Sequence, residues 1–498
     1  MHYTSTRNNS IKVTAAQAIA GGISQEGGLY VPSEFPSITA ADIEALLPLS
    51  YKERATKVLS KFLNDFSEEE VAECCSAAYG DRFDTTAIAP LHELGEGQYV
   101  LELWHGPTCA FKDMALQILP HLMRVSVGKT NPNEEIVILV ATSGDTGKAA
   151  LEGFKDAPNT KILVFYPVDG VSEMQRFQMI TQEGDNVGVC AIRGNFDDAQ
   201  TGVKSIFTDD EVKARLAENN MRFSSANSIN WGRLVPQIVY YISAYCDLLV
   251  QNKIKNGDPI NVVVPTGNFG NILACYYAKQ MGLPINKLIC ASNRNRVLTD
   301  FFETGVYDCN RPFYTTTSPS MDILVSSNLE RLLYHLSDNN SEEIAEWMSA
   351  LKNEKKYAVS DTVRKAIQQE FVGGCADDRE VADTIAHLFD CTEYLCDTDT
   401  AVAVKVYENY RSQSGDETPT VIASTANPFK FAPAILEALH ADMADTPYDQ
   451  LADLQAFTGW KTPQPLASLR DKAIRFTDVC DNDIEGMQST VYRMLQLD

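Results

Sequence analysis

A lysine that could be shielded from water lies near the end of residues 104–113, which read WHGPTCAFKD. Lys112 follows a Gly-Pro turn and precedes an apolar helical pattern. Desolvation lowers the pKa of a lysine and frees its amine for nucleophilic or Schiff-base chemistry. An isolated lysine at a helix start is more often a solvated surface residue. Lys112 is therefore a candidate that needs support from the rest of the chain.

Two glycine-containing loops each follow an apolar strand pattern and precede a helical pattern. Converging backbone N–H groups at the N-terminus of a helix suit a phosphate or a carboxylate. Neither loop matches the dinucleotide-binding spacing, and the first lacks the glycine and the final Ser/Thr of a Walker loop. Each loop could also be an ordinary tight turn with a helix cap. The residues of the two loops are Ser143, Gly144, Asp145 and Thr146, and Gly267, Asn268, Phe269, Gly270 and Asn271.

Two further polar segments offer groups that could bind anions. Asn227, Asn230 and Arg233 precede an apolar helix, and a guanidinium beside two amides suits oriented recognition of a phosphate or carboxylate. The two asparagines could equally serve as helix caps. Thr425 and Lys430 follow the last apolar strand pattern, where a hydroxyl can bond a ring nitrogen and a lysine can meet an anion. A helix cap plus surface charge is the alternative for that pair.

These groups together are consistent with one phosphate-bearing cofactor held beside a reactive amine. Pyridoxal 5'-phosphate fits, because its aldehyde needs a lysine and its phosphate needs a glycine-rich loop. The freed lysine can then act as the base.

The elements that must position these residues alternate between strands and helices from about residue 90. This alternation predicts an α/β fold with largely parallel sheets, which hold ligands at the carboxyl ends of their strands. Residues 1–85 predict a mainly helical N-terminal domain without chemistry, and 86–498 form the catalytic region. We expect a small α/β domain at roughly 110–225 inserted in a larger one. Residues 300–400 predict a helical insertion that lies on the sheet and contributes no strand to its order.

The composition limits the possible partners. The net charge of -25 makes the surface repel nucleic acid and anionic membranes. No apolar run approaches the ~18 residues of a membrane span, and the N-terminus lacks the apolar core of a signal peptide. The 12 cysteines are scattered and show no metal-ligand spacing with the 7 histidines, which favours free thiols in the cytoplasm and no metal. We expect a small anionic substrate, and a monomer or a homodimer.

Five motifs in this order resemble the threonine synthase family, and in particular its longer fungal and proteobacterial type. They are HGPT with FKD at 105–113, TSGDTG at 142–147, SANSINWGR at 225–233, GNFGN at 267–271 and STA at 424–426. The resemblance implies a fold type II pyridoxal-phosphate enzyme with the cofactor between two α/β domains. It also implies the conversion of O-phospho-L-homoserine and water to L-threonine and phosphate.

The resemblance also implies roles for single residues. Lys112 matches the family's Schiff-base lysine, and Thr425 matches the residue that faces the pyridine nitrogen. Asn427 stands where family members often carry histidine. The residues matching the loop around the cofactor phosphate are Gly267, Asn268, Phe269, Gly270 and Asn271. We further hypothesise that Ser143, Gly144, Asp145 and Thr146 hold the substrate carboxylate, and that Asn227, Asn230, Arg233 and Lys430 hold its phosphate.

Two alternatives remain open at this point. Another enzyme of the same fold, such as a serine or threonine dehydratase or a β-replacing synthase, would share the cofactor loops without a second phosphate site. A catalytically idle homologue would bind a metabolite or a partner. The role of His105, beside the Gly-Pro turn, is also open.

Overall fold

A computed structural model describes residues 1–142, 144–169 and 171–497. The N-terminal domain contains the predicted helices, and Thr14 and Ser67 start two of them with capping boxes. Its three short antiparallel strands, in the order β2-β1-β3, were not predicted from the sequence. The elements are β1 (Tyr3–Ser5), β2 (Asn8–Val13), α1 (Ala15–Gly21), β3 (Tyr30–Pro32), α2 (Ala40–Leu46), α3 (Tyr51–Phe62) and α4 (Glu68–Ala78).

The next part of the chain enters the large domain and then builds the small one. The apolar helical pattern after Lys112 forms two helices, because a second helix starts afresh with Pro120 in its first turn. The elements are β4 (Leu91–Gly95), β5 (Gln98–Glu102), α5 (Asp113–Leu116), α6 (Leu119–Thr130), β6 (Glu135–Ala141), α7 (Asp145–Phe154), β7 (Thr160–Pro167), α8 (Glu173–Ile180), β8 (Val187–Arg193), α9 (Phe196–Thr208), α10 (Asp210–Glu218) and β9 (Met221–Ser224).

The remaining chain forms most of the large domain and then returns to the small one. Its elements are α11 (Trp231–Leu234), α12 (Pro236–Val250), β10 (Ile260–Pro265), α13 (Gly270–Met281), β11 (Ile285–Ser292), α14 (Val297–Thr304), β12 (Val306–Asp308), α15 (Leu329–Leu336), α16 (Ser341–Glu354), β13 (Lys356–Ala358), α17 (Asp361–Glu370), β14 (Phe371–Cys375), α18 (Asp378–Thr392), α19 (Thr398–Ser414), β15 (Thr420–Ser424), α20 (Ala432–Ala438), α21 (Pro447–Thr458), α22 (Gln464–Ala467), β16 (Val479–Asp481) and α23 (Ile484–Leu495).

The small domain is a parallel sheet in the order β16-β8-β7-β6-β9. Its edge strand β16 comes from the C-terminal tail rather than from residues 110–225. Met487 and Val491 of α23 pack in one apolar cluster with Val137 and Leu163 of the sheet. The tail therefore completes the small domain, which the sequence did not predict because β16 has only three residues.

The large domain is a sheet in the order β14-β11-β10-β15-β5-β4, parallel except for β4. β14 pairs with β11 over Phe371–Cys375, so the prediction that 300–400 lies outside the sheet order is wrong. Two glycines among the five residues of β14 weaken its strand signal.

The strand order explains where the site forms. β10, β15 and β5 are neighbours and run parallel, so the loops after them begin side by side at one edge of the sheet. These loops carry the predicted cofactor residues. No helix in the described ranges is both long and apolar enough to cross a membrane.

Candidate active site

The loop that carries Lys112 lies against the loop that follows β15. Phe111 donates its backbone N–H to the carbonyl of Thr425 at 2.8 Å. Ala110 and Ala426 form an antiparallel bridge between the same two segments. Main-chain bonds therefore hold the lysine and the threonine in fixed positions relative to each other.

The turn before Lys112 is held by Asp113, the residue that follows it. The carboxylate of Asp113 accepts the backbone N–H of Thr108 at 2.8 Å and its hydroxyl at 2.7 Å. A Cβ on Gly106 would lie 2.6 Å from the Asp113 side chain, so this position requires glycine. Burial raises the pKa of Asp113 to about 6, although the bonds from Thr108 oppose that change. The predicted Gly-Pro turn is thus a rigid support for Lys112.

Lys112 is sheltered, as the sequence predicted. Its side chain is 11% exposed, and its Nζ lies 3.9 Å from Oδ2 of Asp145. Burial lowers the pKa of Lys112. Asp145 and Asp399 act against burial, whereas the positive charges of Lys430 and Arg233 act with it. The amine therefore loses its proton more easily than a surface lysine would.

The side chain of Asp145 is paired inside the protein and does not hold a substrate carboxylate, so the predicted carboxylate contact stays a prediction for the backbone N–H groups of this loop. Its Oδ1 lies 2.8 Å from Nζ of Lys430 and accepts a hydrogen bond from Gln175 at 3.1 Å. Burial would raise the pKa of Asp145, but Lys430 and Lys112 lower it to about 2. A carboxylate that stays charged at neutral pH repels a second one. We infer that its role is to pair the small domain with the large domain.

The prediction that Lys430 holds the substrate phosphate is not supported either. Its side chain is only 1% exposed and donates to the carbonyl of Thr108 at 2.9 Å as well as pairing with Asp145.

The other predicted residues of the loop after β6, where the structure describes them, give no evidence of a carboxylate contact. Gly144 donates its backbone N–H to the hydroxyl of Thr142 at 3.0 Å. Thr146 is half-buried at the start of α7, where its predicted contact with the carboxylate stays a prediction. Ser143 lies outside the described residues.

The glycine loop after β10 lies between a strand and a helix, as the sequence pattern predicts. A Cβ on Gly267 would lie 2.6 Å from the carbonyl of Ser320, and Phe269 has a left-handed backbone with φ 67°. Gly270 begins α13, whose first N–H groups have no partner inside the helix. The ring of Phe269 is buried against other aromatic residues, so only its main chain can face a ligand. Asn268 is exposed.

Among the buried polar atoms without a hydrogen-bond partner in the described residues are two in the predicted cofactor loops: Nδ2 of Asn271 and Oγ1 of Thr425. The other amide atom of Asn271 accepts a bond from the hydroxyl of Tyr241. Buried polar groups are nearly always bonded, so each of these two atoms points to a ligand. A phosphate at Asn271 and a ring nitrogen at Thr425, with Lys112 nearby for an aldehyde, fit pyridoxal phosphate.

Arg233 is a buried cation without a carboxylate partner in the described part of the chain. Its side chain donates to the carbonyl of Ala226 at 2.8 Å, and the residue is 5% exposed. Burial alone lowers the pKa of this guanidinium to about 10. A buried charge is costly unless it is paired, so Arg233 suits an anionic ligand.

The two asparagines predicted beside Arg233 behave differently. Asn230 caps α11 by accepting the N–H of Gly232, and its amide hydrogens go to the carbonyls of Ile19 and Ser225. It has no donor left for a phosphate, so its capping role is confirmed and its ligand role is not supported. Asn227 is exposed and accepts a bond from the adjacent serine, which leaves its amide hydrogens available.

Asn328, which the sequence interpretation missed, connects the segment before Arg233 to the glycine loop after β10. Its amide donates to the carbonyls of Ser228 at 3.3 Å and Asn268 at 3.1 Å. The sequence also gives no sign of Asp399, a buried carboxyl group that raises the pKa of Lys112 when it is ionised. Both lie in the stretch taken for a helical insertion, so its helical pattern hid them.

His105 contributes to the support of the site rather than to its interior. Its ring nitrogens lie 2.5 Å from Oδ1 of Asp84 and 2.7 Å from Oε2 of Glu102. Burial would lower the pKa of His105, but the two carboxylates raise it to about 9. The ring stacks on Trp104, whose indole N–H bonds Ser424, next to Thr425.

Asn427, which stands where family members often carry histidine, has a local structural role. It accepts the N–H of Phe429 and so caps the turn that follows.

Family models match most of the chain. The model for the N terminus of threonine synthase matches residues 2–79, and the model for its C-terminal part matches 400–491. Between them, residues 84–368 match the model of pyridoxal-phosphate-dependent enzymes. These three matches agree with the fold and with the cofactor that the site accommodates.

Individual relatives agree with the models. Threonine synthase from Pseudomonas aeruginosa is 38% identical over 88% of this chain and 90% of its own length. Human threonine synthase-like 1 is 38% identical over 97% of this chain, which spans 66% of that relative's length. The crystal structure of pyridoxal-phosphate-bound threonine synthase from Brucella melitensis is 36% identical, covers 99% of both chains and superposes with a TM-score of 0.88.

Sequence motifs, fold and unpartnered polar atoms thus agree with the relatives. The structure brings Lys112 and Thr425 to the sheet edge where the glycine loop begins. Pyridoxal phosphate is the cofactor of this fold type II enzyme. The chain belongs to the threonine synthase family.

Proposed function

We propose that this protein converts O-phospho-L-homoserine and water to L-threonine and phosphate. The observation that carries the proposal is Arg233, a buried guanidinium without a carboxylate partner in the described residues, close enough to Lys112 to lower its pKa. A cofactor phosphate at the glycine loop leaves Arg233 available for a second anion. A substrate that carries its own phosphate supplies that anion.

The charges around Lys112 support the same substrate class. Lys112, Lys430 and Arg233 face one carboxylate with a lowered pKa, that of Asp145. Asp145 pairs with Lys430, so Arg233 is the positive charge near Lys112 that is left for an anion, inside a chain whose net charge is -25. Buried cations attract anions strongly, because water does not screen them there. A substrate phosphate would balance the charge of Arg233.

The residues of the chain then divide the work. When bound, pyridoxal phosphate supplies an aldehyde for amines and a ring that accepts electrons from the substrate. Lys112 holds or releases a proton at Nζ, and its lowered pKa suits it to take one from the carbon next to the substrate amine. Thr425 offers a neutral hydroxyl where the ring nitrogen is expected. Arg233, with Asn227 at the surface, binds the leaving phosphate.

One set of assays tests the proposal. The purified protein should absorb at about 410–430 nm, as lysine-bound pyridoxal phosphate does. It should release phosphate and threonine from phosphohomoserine. Lys112→Ala should lose the band and reduce turnover by at least about 10³-fold. A retained band, or turnover close to wild type, contradicts the role of Lys112.

Arg233→Ala tests the phosphate site separately. We expect the KM for phosphohomoserine to rise by at least about 10-fold while the absorbance band stays, because one charged hydrogen bond contributes roughly 1.5–3 kcal/mol. Arg379→Ala is the control, since that side chain is 90% exposed on α18. An unchanged KM in Arg233→Ala contradicts this assignment.

A second candidate is supported by the 38% identity to threonine synthase-like 1. It is a family member that binds the cofactor but does not make threonine. The absorbance band without phosphate release favours this candidate. Release of a keto acid instead of threonine favours a dehydratase.

A further inference from the structure

Two carboxyl groups, Asp397 and Asp399, lie at the start of α19 and are almost completely buried. Asp397 is 0% exposed and Asp399 is 2% exposed. One residue separates them in the chain, and the charge of Asp397 raises the pKa of Asp399. Two carboxylates this close and this deeply buried do not both ionise at neutral pH.

Hydrogen bonds decide which of the two is charged. Asp397 is the N-cap of α19, and its Oδ1 accepts the backbone N–H of Asp399 at 2.9 Å and of Thr400 at 3.1 Å. Its Oδ2 accepts the hydroxyl of Thr400. Oδ1 of Asp399 has no hydrogen-bond partner in the described residues. Three donors and the positive end of the helix stabilise the charge on Asp397, so the proton belongs on Asp399.

The hydroxyl of Thr400, the residue after Asp399, lies 3.0 Å from that of Ser424. Ser424 precedes Thr425, whose carbonyl binds Phe111, so the start of α19 lies beside the Lys112 loop. The charged groups that act on Asp399 come from three elements. They are Asp397 on α19 itself, Lys112 at the start of α5 and Asp145 at the start of α7. Burial and then the charge of Asp397 raise the pKa of Asp399, whereas Lys112 and the hydroxyl of Ser320 lower it. A negative charge on Asp399 would raise the pKa of Lys112.

Lys112 shares its other nearby carboxylate, Asp145, with Lys430. Asp145 lies 3.9 Å from Nζ of Lys112 but 2.8 Å from Nζ of Lys430, so its charge is used mainly by Lys430. Arg233 adds a positive charge on the remaining side. An ionised Asp399 would give Lys112 a carboxylate of its own and hold its proton in place.

We propose that Asp397 and Asp399 share one proton and one negative charge, that the proton resides on Asp399, and that this lets Lys112 release its own. The inference deepens the proposed function, since it rests on Lys112 as the reactive amine. Asp399 acts through Lys112 and is therefore a positioning residue. The negative charge of Asp397 keeps Asp399 protonated.

The test compares four forms of the full chain: wild type, Asp397→Asn, Asp399→Asn and the double variant. Each is stripped of cofactor, and its rate of pyridoxal phosphate capture is followed at about 410–430 nm between pH 6 and 10. Asparagine is a good N-cap, so Asp397→Asn keeps the start of α19 while removing the charge. Phosphohomoserine is not used, so failure of the proposed activity does not affect this readout.

The expected results differ in a way that a purely structural role does not produce. In Asp397→Asn, Asp399 ionises and Lys112 keeps its proton, so the midpoint of the pH profile rises by about one unit or more and capture at pH 7.5 slows about 10-fold. Asp399→Asn imitates the neutral acid and leaves the midpoint in place. The double variant returns to the wild-type midpoint, because no carboxyl remains to ionise.

Three outcomes overturn the proposal. An unchanged midpoint in Asp397→Asn is one, and a double variant that stays shifted is another. If Asp399 is charged in the wild type, Asp399→Asn alone lowers the midpoint, which is the third. This last variant decides the matter even if Asp397→Asn fails to fold.

Discussion

The loops after β6 and β10 have similar sequences but different electrostatics. Both leave a buried parallel strand, contain glycine and begin a helix. The loop after β6 carries its own carboxylate, Asp145, whose partner Lys430 comes from the other domain. The loop after β10 has no ionisable side chain from Gly267 to Asn271, and Nδ2 of Asn271 has no bond within the described residues.

The difference separates two uses of a helix N-terminus. A helix start favours negative charge whether that charge belongs to the protein or to a ligand. In the small domain the charge is internal, so the loop joins the two domains beside Lys112. In the large domain the helix start is left for an external anion. Glycine and helix pattern alone therefore identify an anion-binding loop without telling whether the anion is already built in.

The largest expected effect comes from removing the internal charge. Asp145→Asn leaves Lys430 buried without a carboxylate partner, and the free energy of unfolding of the cofactor-free protein should fall by about 3–5 kcal/mol. Denaturant unfolding of the two forms measures this difference. Replacing Lys430 with Met in the same chain should recover a large part of the loss. Asp383→Asn, from an exposed pair on α18, is the control and should change nothing measurable.

A stability loss in Asp145→Asn that is no larger than in the exposed control would contradict the comparison. The carboxylate would then be replaceable by any polar group, and the loop after β6 would be open to an external anion after all.

The comparison also shows how far sequence reasoning reaches. The lysine turn, both glycine loops and Thr425 could be predicted because local patterns carry them. The pairing of Asp145 with Lys430 could not, since the two residues meet only through the arrangement of two domains. β14 and β16 were missed because short, glycine-containing or exposed strands lack an alternating pattern. The sequence allows Asn230 to be either a helix cap or a phosphate ligand, and only its contacts decide between the two.

Adding a charge to the loop after β10 should make it resemble its counterpart. Asn271→Asp is isosteric and keeps the acceptor for the hydroxyl of Tyr241, but it turns the unbonded donor into a carboxylate. Repulsion of the cofactor phosphate should lower the affinity for pyridoxal phosphate about 100-fold, or roughly 2.7 kcal/mol. Equilibrium titration measures it, with the exposed Asn252→Asp as control. An affinity within twofold of wild type would mean that the phosphate binds elsewhere.

Acid should remove the contribution of Asp145 to the free energy of unfolding without any substitution. Its pKa is about 2 in the folded protein against 3.8 ordinarily, so its stabilisation is complete above pH 4 and is lost as the pH falls through 2. The integrated effect is about 2 kcal/mol. The difference in unfolding free energy between wild type and Asp145→Asn should therefore shrink between pH 5 and pH 2.5. A difference that is constant over this range would show that Lys430 does not lower the pKa of Asp145.

The smallest expected effect concerns Thr425, at the edge that the two loops share. Its hydroxyl is buried without a partner among the described residues, so Thr425→Val should leave the cofactor-free protein as stable or up to about 1 kcal/mol more stable. The affinity for pyridoxal phosphate should fall only about fivefold, as for one neutral hydrogen bond. Thr400→Val is the matched control, because that buried hydroxyl bonds Asp397 and Ser424 and its loss should destabilise the protein. If Thr425→Val destabilises the cofactor-free protein as much as Thr400→Val does, its hydroxyl serves the fold and not a ligand.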